Sequence, residues 1–314
     1  MDYLELLLQF VLLAVGFLML VKGADVFVDG AAGIADKFGI PQLVIGLTIV
    51  AMGTSAPEAA VSITAALKEN ADITIGNIVG SNILNILIIL GVTSVIVAVS
   101  VQKSTVRYEI PFMLAITVML AIFGYTSGHI TFWEGIIFWI AFTIYLAYLF
   151  IMAMNNKEEV EETKKRPVWM LLLFVVIGIV LVVWGSDVTV DAATMIARAA
   201  GLSQRFIGLT IVALGTSLPE LVTSVSAARK GKADIAIGNI VGSNIFNILF
   251  VVGTTALITP VVFKPEFMID TMISLAAGIL LWLCVFRDRK LGRAGGIIML
   301  LGYVAYFVYL VVIK

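Results

Sequence analysis

An offset of 162 positions aligns the two halves of the chain without a gap through their most distinctive region. The offset relates Asp25 to Asp187, Glu58 to Glu220 and Ser81 to Ser243. Roughly two thirds of positions 41–90 are identical to their partners, which indicates an internal duplication. The fold must therefore be built from two copies of one structural unit.

Each copy consists almost entirely of apolar runs long enough to cross a bilayer, which takes about 20 residues for a helix. Only 13% of the residues are charged and 61% are hydrophobic, whereas soluble domains are about 25% charged. The first run follows acidic Asp2 and Glu5 rather than basic residues, so we interpret it as a retained helix and not a signal peptide. The predicted spans are 6–33, 42–67, 72–99, 108–125, 131–154, 168–197, 205–227, 234–260, 266–286 and 292–312.

Five spans in each copy require the copies to insert with opposite orientations. The sequence predicts an all-α integral membrane protein of ten transmembrane helices, arranged as two inverted five-helix repeats at 1–154 and 168–314. A charged linker, NNKEEVEETKKRP at 155–167, joins them. Inverted repeats with broken helices that meet near the bilayer midplane are typical of secondary transporters. We expect helices 2 and 7 to be broken in this way.

Basic residues are concentrated in the connections on the linker side of the predicted bundle. Cytoplasmic connections carry an excess of Lys and Arg, so we expect a cytoplasmic linker and both termini outside. The linker side carries Lys37, Lys103, Arg107, Lys157, Lys164, Lys165, Arg166, Arg229, Lys230, Lys232, Arg287, Arg289, Lys290 and Arg293. The other side carries Lys68, Arg198, Arg205, Lys264 and Lys314.

A glutamate lies near the middle of an apolar run in each copy, in GTSAPE at 53–58 and GTSLPE at 215–220. A charged side chain at the centre of a membrane helix costs about 2.5–3.5 kcal/mol. No Lys or Arg lies in these segments to neutralise Glu58 or Glu220. We infer that a metal ion, sodium or protons supply the missing positive charge.

The residues around each glutamate predict a break in the helix. Pro57 and Pro219 lack an amide donor, and the glycines at 53 and 215 tolerate unusual backbone angles. Irregular backbone at membrane depth lines protein or a watery cavity, so the freed carbonyl oxygens should face the site. Hydroxyl groups cluster on the same turn, at Thr54, Ser55, Thr216 and Ser217.

A polar helix face follows in each copy, in ADITIGNIVGSNILNI at 71–86 and ADIAIGNIVGSNIFNI at 233–248. Residues four apart share a helix face, and the small-xxx-small spacing of the glycines permits close helix packing. We interpret Asn77, Asn82, Asn239 and Asn244 as interhelical hydrogen-bonding residues. The shared faces carry Asn77, Ser81 and Asn85, and Asn239, Ser243 and Asn247; the glycines are Gly76, Gly80, Gly238 and Gly242.

These side chains together offer carboxylate, hydroxyl, carbonyl and amide oxygens. Calcium takes about six to eight such ligands in flexible geometry, and sodium accepts the same carbonyl and hydroxyl oxygens. The absence of His and Cys from these positions disfavours zinc, copper and iron. The lone His129 is interpreted as a solvated loop residue and Cys284 as a small apolar helix residue. One divalent or two monovalent ions would neutralise the carboxylate pair, so the two species would compete and exchange.

At these residues the sequence resembles the sodium/calcium exchanger family of the cation/calcium antiporter superfamily, since GTSAPE, GTSLPE and the paired GNIVGSNI segments look like its two alpha-repeats. The resemblance implies that helices 2, 3, 7 and 8 surround a central site and that helices 1 and 6 move as a unit. It further implies that Glu58 and Glu220 hold calcium with Thr54 and Thr216. Sodium ligands implied in the same way are the hydroxyls of Ser55, Ser217, Ser81 and Ser243 and the carbonyls of Ala51 and Ala213, with Asn85 and Asn247 in the remaining central positions.

The chain departs from some members of that family, which carry Asp at one of the positions occupied here by Asn85 and Asn247. The proton-coupled calcium branch typically has Asn in place of the Thr-Ser pair, and both copies here keep Thr-Ser, which favours sodium coupling. The short linker lacks the regulatory insert of animal exchangers. We therefore expect a prokaryotic-type exchanger of the plasma membrane that functions as a monomer, transports calcium and sodium, and uses no cofactor and no nucleic acid.

Two other functions remain open from the residues alone, and a third is disfavoured. A calcium/proton antiporter could use Glu58 and Glu220 to exchange two protons for calcium. A cation channel could use the carboxylate pair as a filter. An intramembrane hydrolase is disfavoured because the sequence has no Asp dyad motif and no HExxH.

Two acidic pairs lie near the ends of helices 1 and 6, Asp25 with Asp29 and Asp187 with Asp191. Solvation at the interface, or contact with Lys22, would explain them. They could instead attract cations to the mouth of the site, or act as a latch on the moving helices.

Overall fold

The computed structural model describes residues 3–67, 72–155, 166–200 and 213–313. These residues are almost entirely helical. The helices are α1 (Tyr3–Phe38), α2 (Gln42–Thr54), α3 (Ala56–Leu67), α4 (Asp72–Leu84, continued by Asn85–Leu90 and Gly91–Ile96), α5 (Thr105–Ser127), α6 (Phe132–Asn155), α7 (Val168–Ala199), α8 (Ala213–Gly215), α9 (Leu218–Arg229), α10 (Ala233–Ile258), α11 (Pro265–Phe286) and α12 (Arg293–Ile313).

Eight of the described helices are long and apolar enough to cross a membrane, and α2 with α3 would form a ninth, broken span. The predicted seventh span, 205–227, begins outside the described residues and is represented by α8 and α9. Most of the linker, at 156–165, also lies outside them, as do Lys68, Arg205 and Lys314. A multi-pass helical membrane protein is therefore established, and the number ten stays a prediction.

Helices α4 and α10 form the centre of the molecule. In their most apolar windows 78% and 94% of residues are buried, against 11% in α1 and α12. The outer helices expose large apolar side chains such as Leu18, Trp133, Val176 and Leu301. In a bilayer these faces contact lipid without cost, because lipid tails are as apolar as leucine.

Asparagine side chains join α4 to α10 at the centre of the bundle. Asn82 Nδ2 donates to the Asn244 carbonyl (3.3 Å), and Asn244 Nδ2 donates to the Asn82 carbonyl (3.2 Å). Asn85 Nδ2 donates to Asn244 Oδ1 (2.9 Å), and Asn247 Nδ2 donates to Asn82 Oδ1 (3.1 Å). The predicted interhelical role of Asn82 and Asn244 is confirmed.

Both central helices widen into π-helical segments at repeat-related positions, Asn85–Leu90 in α4 and Asn247–Val252 in α10. Single π-helical turns inside α-helices often mark functional sites. Here each segment begins at one of the two asparagines predicted to line the ion site. The widening therefore occurs at the level of the candidate site.

Glycines spaced seven residues apart let α1 and α7 approach closely. A Cβ built on Gly23 would lie 2.7 Å from Leu181 Cβ, and one on Gly178 would lie 2.5 Å from the Phe27 amide nitrogen. The partner positions descend along α7 as α1 ascends, so the two helices run antiparallel. The sequence analysis missed this heptad pattern, Gly16, Gly23 and Gly30 with Gly178 and Gly185, although it is visible in the sequence. Such close packing suits two helices that move as one body.

A second close approach brings α2 against α10. A Cβ on Gly242 would lie 2.8 Å from both Ala51 Cβ and Leu47 Cα, and one on Gly238 would lie 3.0 Å from Gly46 Cα. The predicted packing role of these two glycines is confirmed. A Cβ on Gly80 meets no described atom within 4 Å, and positions 208 and 209, the repeat mates of Gly46 and Leu47, lie outside the described residues.

We expect Gly242→Ala to lower the melting temperature of the detergent-solubilised protein, and Gly302→Ala in α12, where an added Cβ would lie 3.7 Å from Leu87 Cδ2, to leave it unchanged or raise it. The added methyl at 242 must displace the backbone of α2, and overpacking costs about 1–3 kcal/mol. Ala in place of Gly inside a helix otherwise gains up to about 1 kcal/mol. Thermal unfolding followed by size-exclusion chromatography checks the pair, and equal shifts for both variants would contradict the contact.

Two short antiparallel ladders connect the repeats, which the all-α prediction did not include. Strand β1 (Val99–Ser100) pairs with β4 (Lys290–Leu291), and β2 (His129–Ile130) pairs with β3 (Val261–Val262). His129 is thus half-buried in a strand, and its interpretation as a solvated loop residue was wrong. Two-residue strands are too short to produce a readable alternation of apolar and polar residues.

Candidate cation site

The predicted helix breaks occur at Ser55 and Ser217. Helix α3 is bent by 50° from α2, and both serines leave the helical region, with φ −84° and ψ 8° at Ser55 and φ −93° and ψ 3° at Ser217. The proline two residues later cannot donate to the carbonyl four residues before it. For Pro219 that carbonyl belongs to Gly215, which accepts a hydrogen bond from Ser186 Oγ of α7 instead (2.7 Å).

The backbone of the break also corrects one expectation. The Ala51 carbonyl is not freed, because it accepts the Ser55 amide at 3.0 Å. Ser243 Oγ approaches the same oxygen at 3.4 Å. Thr54 Oγ1 also approaches it at 3.4 Å. A carbonyl oxygen has two lone pairs, so a cation could bind the Ala51 oxygen only by displacing these two long hydroxyl contacts. The backbone of Ala213 begins α8, and its side chain lies outside the described part of the chain.

The two glutamates begin the half-helices that follow the breaks. Glu58 lies in the first turn of α3 and Glu220 in the first turn of α9, where the helix dipole favours negative charge. Each residue is only 1% exposed, and two carboxylates in one buried cluster repel each other when both are charged. Ser55 Oγ of the first repeat donates a hydrogen bond to Glu220 Oε1 of the second repeat at 2.8 Å.

Five oxygens of this cluster are buried without a hydrogen-bond partner among the described residues. Buried polar atoms in folded proteins are nearly always paired, so unpaired oxygens that converge on one place indicate an electropositive ligand. All five belong to residues predicted for the site from sequence. They are Glu58 Oε2, Glu220 Oε2, Asn85 Oδ1, Asn247 Oδ1 and Ser217 Oγ.

The remaining predicted ligands lie beside these oxygens. Thr54 Oγ1 is 2.9 Å from Asn239 Oδ1 and 3.1 Å from the Val50 carbonyl, and its single proton can satisfy one of them. Thr216 is half-buried in the second break, and Ser81 and Ser243 are buried on the faces of α4 and α10. The described part of the predicted set therefore meets at the crossing of the broken and central helices.

Two further hydroxyls, Ser62 and Ser224, support the glutamate half-helices and were missed by the sequence analysis. Asn77 Nδ2 donates to Ser62 Oγ (3.0 Å) and approaches the Glu58 carbonyl (3.4 Å). The repeat mate Asn239 makes the same contacts with Ser224 Oγ (2.9 Å) and the Glu220 carbonyl (3.3 Å). These bonds fix each half-helix to the adjacent central helix, which confirms the interhelical role predicted for Asn77 and Asn239.

The charge of the cluster is unbalanced. Within the described residues, ion pairs occur at Lys230 and Lys232, which contact Asp25, Asp29 and Asp36 rather than the two glutamates. No group of three or more His, Cys, Asp or Glu side chains that could hold a metal occurs in that part of the chain. A cation here would therefore be held by two carboxylates supplemented by neutral oxygens, which suits a transported ion better than a permanently bound metal.

A third buried carboxylate, Glu109, lies outside this cluster. It ends a π-helical turn at the start of α5 and accepts a hydrogen bond from Tyr148 of α6. The sequence analysis passed over it because Glu109 stands at the start of the predicted span 108–125, close to Arg107, where an acidic residue is not unusual. Its position makes it a control for the two site glutamates.

The acidic pair of α1 binds a residue that the sequence did not suggest. Lys230, in the turn after α9, lies 2.7 Å from Asp29 Oδ1 and 3.6 Å from Asp25 Oδ1. Ser226 Oγ also donates to Asp25 Oδ1 at 2.7 Å. The expected contact with Lys22 is therefore replaced by one across the repeats. The repeat-mate pair on α7, Asp187 and Asp191, is exposed.

Comparison with known proteins places this geometry among transporters. The family described as "Sodium/calcium exchanger protein" matches residues 8–151 and 170–312, one segment in each repeat. The chain is 36% identical to inner membrane protein YrbG of Escherichia coli over 322 residues, 97% of each chain. It is 30% identical to sodium/calcium exchanger MaX1 of Methanosarcina acetivorans over 347 residues, 96% of this chain and 98% of that one. The structure of sodium-calcium exchanger NCX_Mj soaked with zero Na⁺ and Ca²⁺ is similar with a TM-score of 0.84 and 30% identity, covering 97% of this chain and 99% of the other.

Proposed function

Because this chain belongs to the sodium/calcium exchanger family, whose members are transporters, we propose that it exchanges calcium for sodium across the membrane by alternating access. The observation that carries the proposal is the set of unpaired buried oxygens on Glu58, Glu220, Asn85, Asn247 and Ser217. All are hard donors, as calcium and sodium require. Two carboxylates without a basic partner demand two positive charges from the ions.

The coupling follows from that charge requirement. One calcium ion or two sodium ions neutralise Glu58 and Glu220, and an empty site keeps two uncompensated charges in a buried environment. Moving such a site past the membrane centre is costly, so the moving helices change position only when the site is loaded. Calcium and sodium therefore travel in turn, in opposite directions, and the protein acts as an exchanger rather than a channel.

The moving part in this proposal is the pair α1 and α7, and α4 and α10 are the fixed centre. The glycine-mediated contact between α1 and α7 supports a rigid pair, and the asparagine bonds between α4 and α10 support a rigid centre. Sodium is assigned to the hydroxyls of Ser55, Ser217, Ser81 and Ser243, and calcium to the glutamates with Thr54 and Thr216. The carbonyls of Ala51 and Ala213 complete the sodium ligands.

We further propose that the linker is cytoplasmic, that both termini are outside and that the chain acts as a monomer in the plasma membrane. The excess of Lys and Arg on the linker side supports this orientation. Two inverted five-helix units, 1–154 and 168–314, and the total of ten spans are part of the same proposal. The antiparallel packing of the repeat-related helices α1 and α7 favours it.

The test is calcium-45 uptake into proteoliposomes that hold sodium inside and none outside. A matched set of liposomes carries only an outward proton gradient at the same ionic strength. We expect uptake driven by sodium, saturable in calcium and faster with unlabelled calcium in the lumen. Uptake driven by the proton gradient alone would reject sodium coupling and assign the chain to calcium/proton antiport, in which the glutamates carry the coupling ion. Conduction that neither saturates nor shows counterflow would indicate a channel.

The ion pairs of Lys230 predict a latch between α1 and α9. Lys230→Gln should change the calcium concentration for half-maximal exchange on the linker side by up to several-fold, because a partly exposed ion pair is worth about 0.2–1 kcal/mol. Arg229→Gln is the matched control, since Arg229 is adjacent and exposed but forms no ion pair in the described residues. Unchanged half-saturation and turnover in Lys230→Gln would reject the latch.

A further inference from the structure

A basic cavity, separate from the cation site, opens where α5 begins and α11 ends. It has a volume of about 470 Å³ and is lined by four basic residues. Lys103 precedes α5, Arg107 lies in the first turn of α5, and Arg287 and Arg289 follow α11. Aromatic residues Trp282 and Phe286 line the same cavity. The cavity thus combines a concentrated positive charge with an apolar wall.

The walls of this cavity are held in place by the backbone. The β1–β4 ladder joins the two connections, and the Val101 amide donates to the Arg289 carbonyl at 2.9 Å. Trp282 Nε1 donates to the Val106 carbonyl at 2.9 Å. Arg289 has a positive φ of 50°, which is uncommon for a residue with a side chain. The fold therefore sets the backbone positions of the four cations, and their side chains are exposed.

In the described part of the chain no carboxylate lies within ion-pair distance of these four cations, and the ion pairs at Lys230 and Lys232 lie outside the cavity. The acidic side chains near the cavity accept hydrogen bonds from other residues or are exposed to solvent. Glu109 binds Tyr148, Asp234 accepts a bond from Gln102 at 2.7 Å, and Asp288 is exposed in the turn between the two arginines. Four like charges around one cavity repel each other, so an anion should stabilise this arrangement.

The position of the cavity indicates where that anion comes from. It lies at the ends of membrane helices, on the side that carries most basic residues, and exposed Phe286 lines it. Exposed Leu283 and Tyr108 are next in sequence to the lining residues Trp282 and Arg107. Aromatic residues at helix ends lie at the level of lipid headgroups. Basic pockets between transmembrane helices on the cytoplasmic side bind acidic headgroups, and arginine pairs with phosphate in bidentate geometry.

We propose that this cavity binds the phosphate headgroup of an acidic phospholipid, with Arg107 and Arg287 as the principal contacts. The acyl chains would lie along Phe286 and the apolar surface of α11. Such a lipid would tie α5 to α11, both of which lie outside the pair α1 and α7. Lipid retention is measured without transport, so it does not depend on which ions the protein carries.

The experiment is native mass spectrometry of the delipidated full chain in neutral detergent, mixed with equal amounts of phosphatidylglycerol and phosphatidylethanolamine. We expect the wild type to retain phosphatidylglycerol preferentially. Arg107→Gln combined with Arg287→Gln should weaken that retention about tenfold or more, given the contribution of each basic residue near an anionic surface. Arg229→Gln combined with Lys232→Gln, on the same side but outside the cavity, should retain the lipid like the wild type.

Three results would overturn the proposal. Equal loss in both double variants would indicate a general charge effect. Displacement of the lipid by inorganic phosphate at equal concentration would identify a soluble anion as the occupant. Absence of retention in the wild type, with retention appearing after Glu158, Glu159, Glu161 and Glu162 are changed to Gln, would show that the acidic linker fills the cavity. An unaltered melting temperature in the Arg107→Gln and Arg287→Gln variant without lipid serves as the folding control.

Discussion

Glu58→Gln and Glu220→Gln should each abolish calcium exchange while leaving the protein folded. Each change removes one of two carboxylates, so a bound calcium ion keeps one uncompensated positive charge in a site that is almost fully buried. Removing one partner of a buried charge pair costs about 3–5 kcal/mol, which corresponds to a loss of at least about 100-fold in calcium affinity. Calcium-45 flux in proteoliposomes measures this loss.

A second readout separates loss of binding from loss of fold. Calcium should raise the melting temperature of the wild type, because a ligand at 100 times its Kd adds about 2.7 kcal/mol of stability. In the two variants this increase should disappear, whereas the melting temperature without ions should not fall, since glutamine keeps the shape and removes the repulsion between Glu58 and Glu220.

Glu109→Gln is the matched control for both variants. Glu109 is as buried as the site glutamates, at 1% exposed, but it contacts Tyr148 rather than the cluster. We expect exchange and the calcium-dependent increase in melting temperature to persist in this variant. Retained exchange in both Glu58→Gln and Glu220→Gln would refute the site assignment.

The sequence predicted best those residues that are unfavourable in an ordinary transmembrane helix. Pro57 and Glu58 are conspicuous inside an apolar run, because a proline breaks a helix and a carboxylate is costly there. Asn77, Ser81 and Asn85 were readable from their spacing of four residues, which puts all three on one helix face. Because the two halves of the sequence are copies, each of these patterns occurs twice. Each of these features belongs to a single helix, so the sequence of that helix is sufficient to predict it.

What the sequence could not predict depends on contacts between distant segments. The Asp25 to Lys230 pair joins the first repeat to the second, and nothing along either helix selects that partner over the nearer Lys22. Whether the Ala51 carbonyl is free depends on whether the Ser55 amide still donates a hydrogen bond to it across the helix break. The four cations of the cavity come from connections far apart in the chain and are brought together by the β1–β4 ladder.

Asn247→Asp should convert the exchanger into one that requires an additional monovalent cation or proton. A third carboxylate would leave a calcium-loaded site with one negative charge, and a charge at the membrane centre costs about 2.5–3.5 kcal/mol. Exchange near neutral pH should therefore fall about 100-fold. Protonation of the new carboxyl restores neutrality, so the rate should rise as the pH falls. The wild type should respond in the opposite direction, because protons compete with calcium for Glu58 and Glu220.

Asn247→Leu is the control that distinguishes charge from contact. Leucine is close to asparagine in size and, like aspartate, loses the hydrogen bond that Asn247 Nδ2 donates to Asn82 Oδ1. The leucine variant should have weaker exchange but keep the pH dependence of the wild type. If Asn247→Asp and Asn247→Leu showed the same pH profile, transport would not require the charge of the bound ions to equal the charge of the carboxylates in the site. The opposite slopes expected here would instead tie the choice of transported ions to the neutral asparagines at 85 and 247.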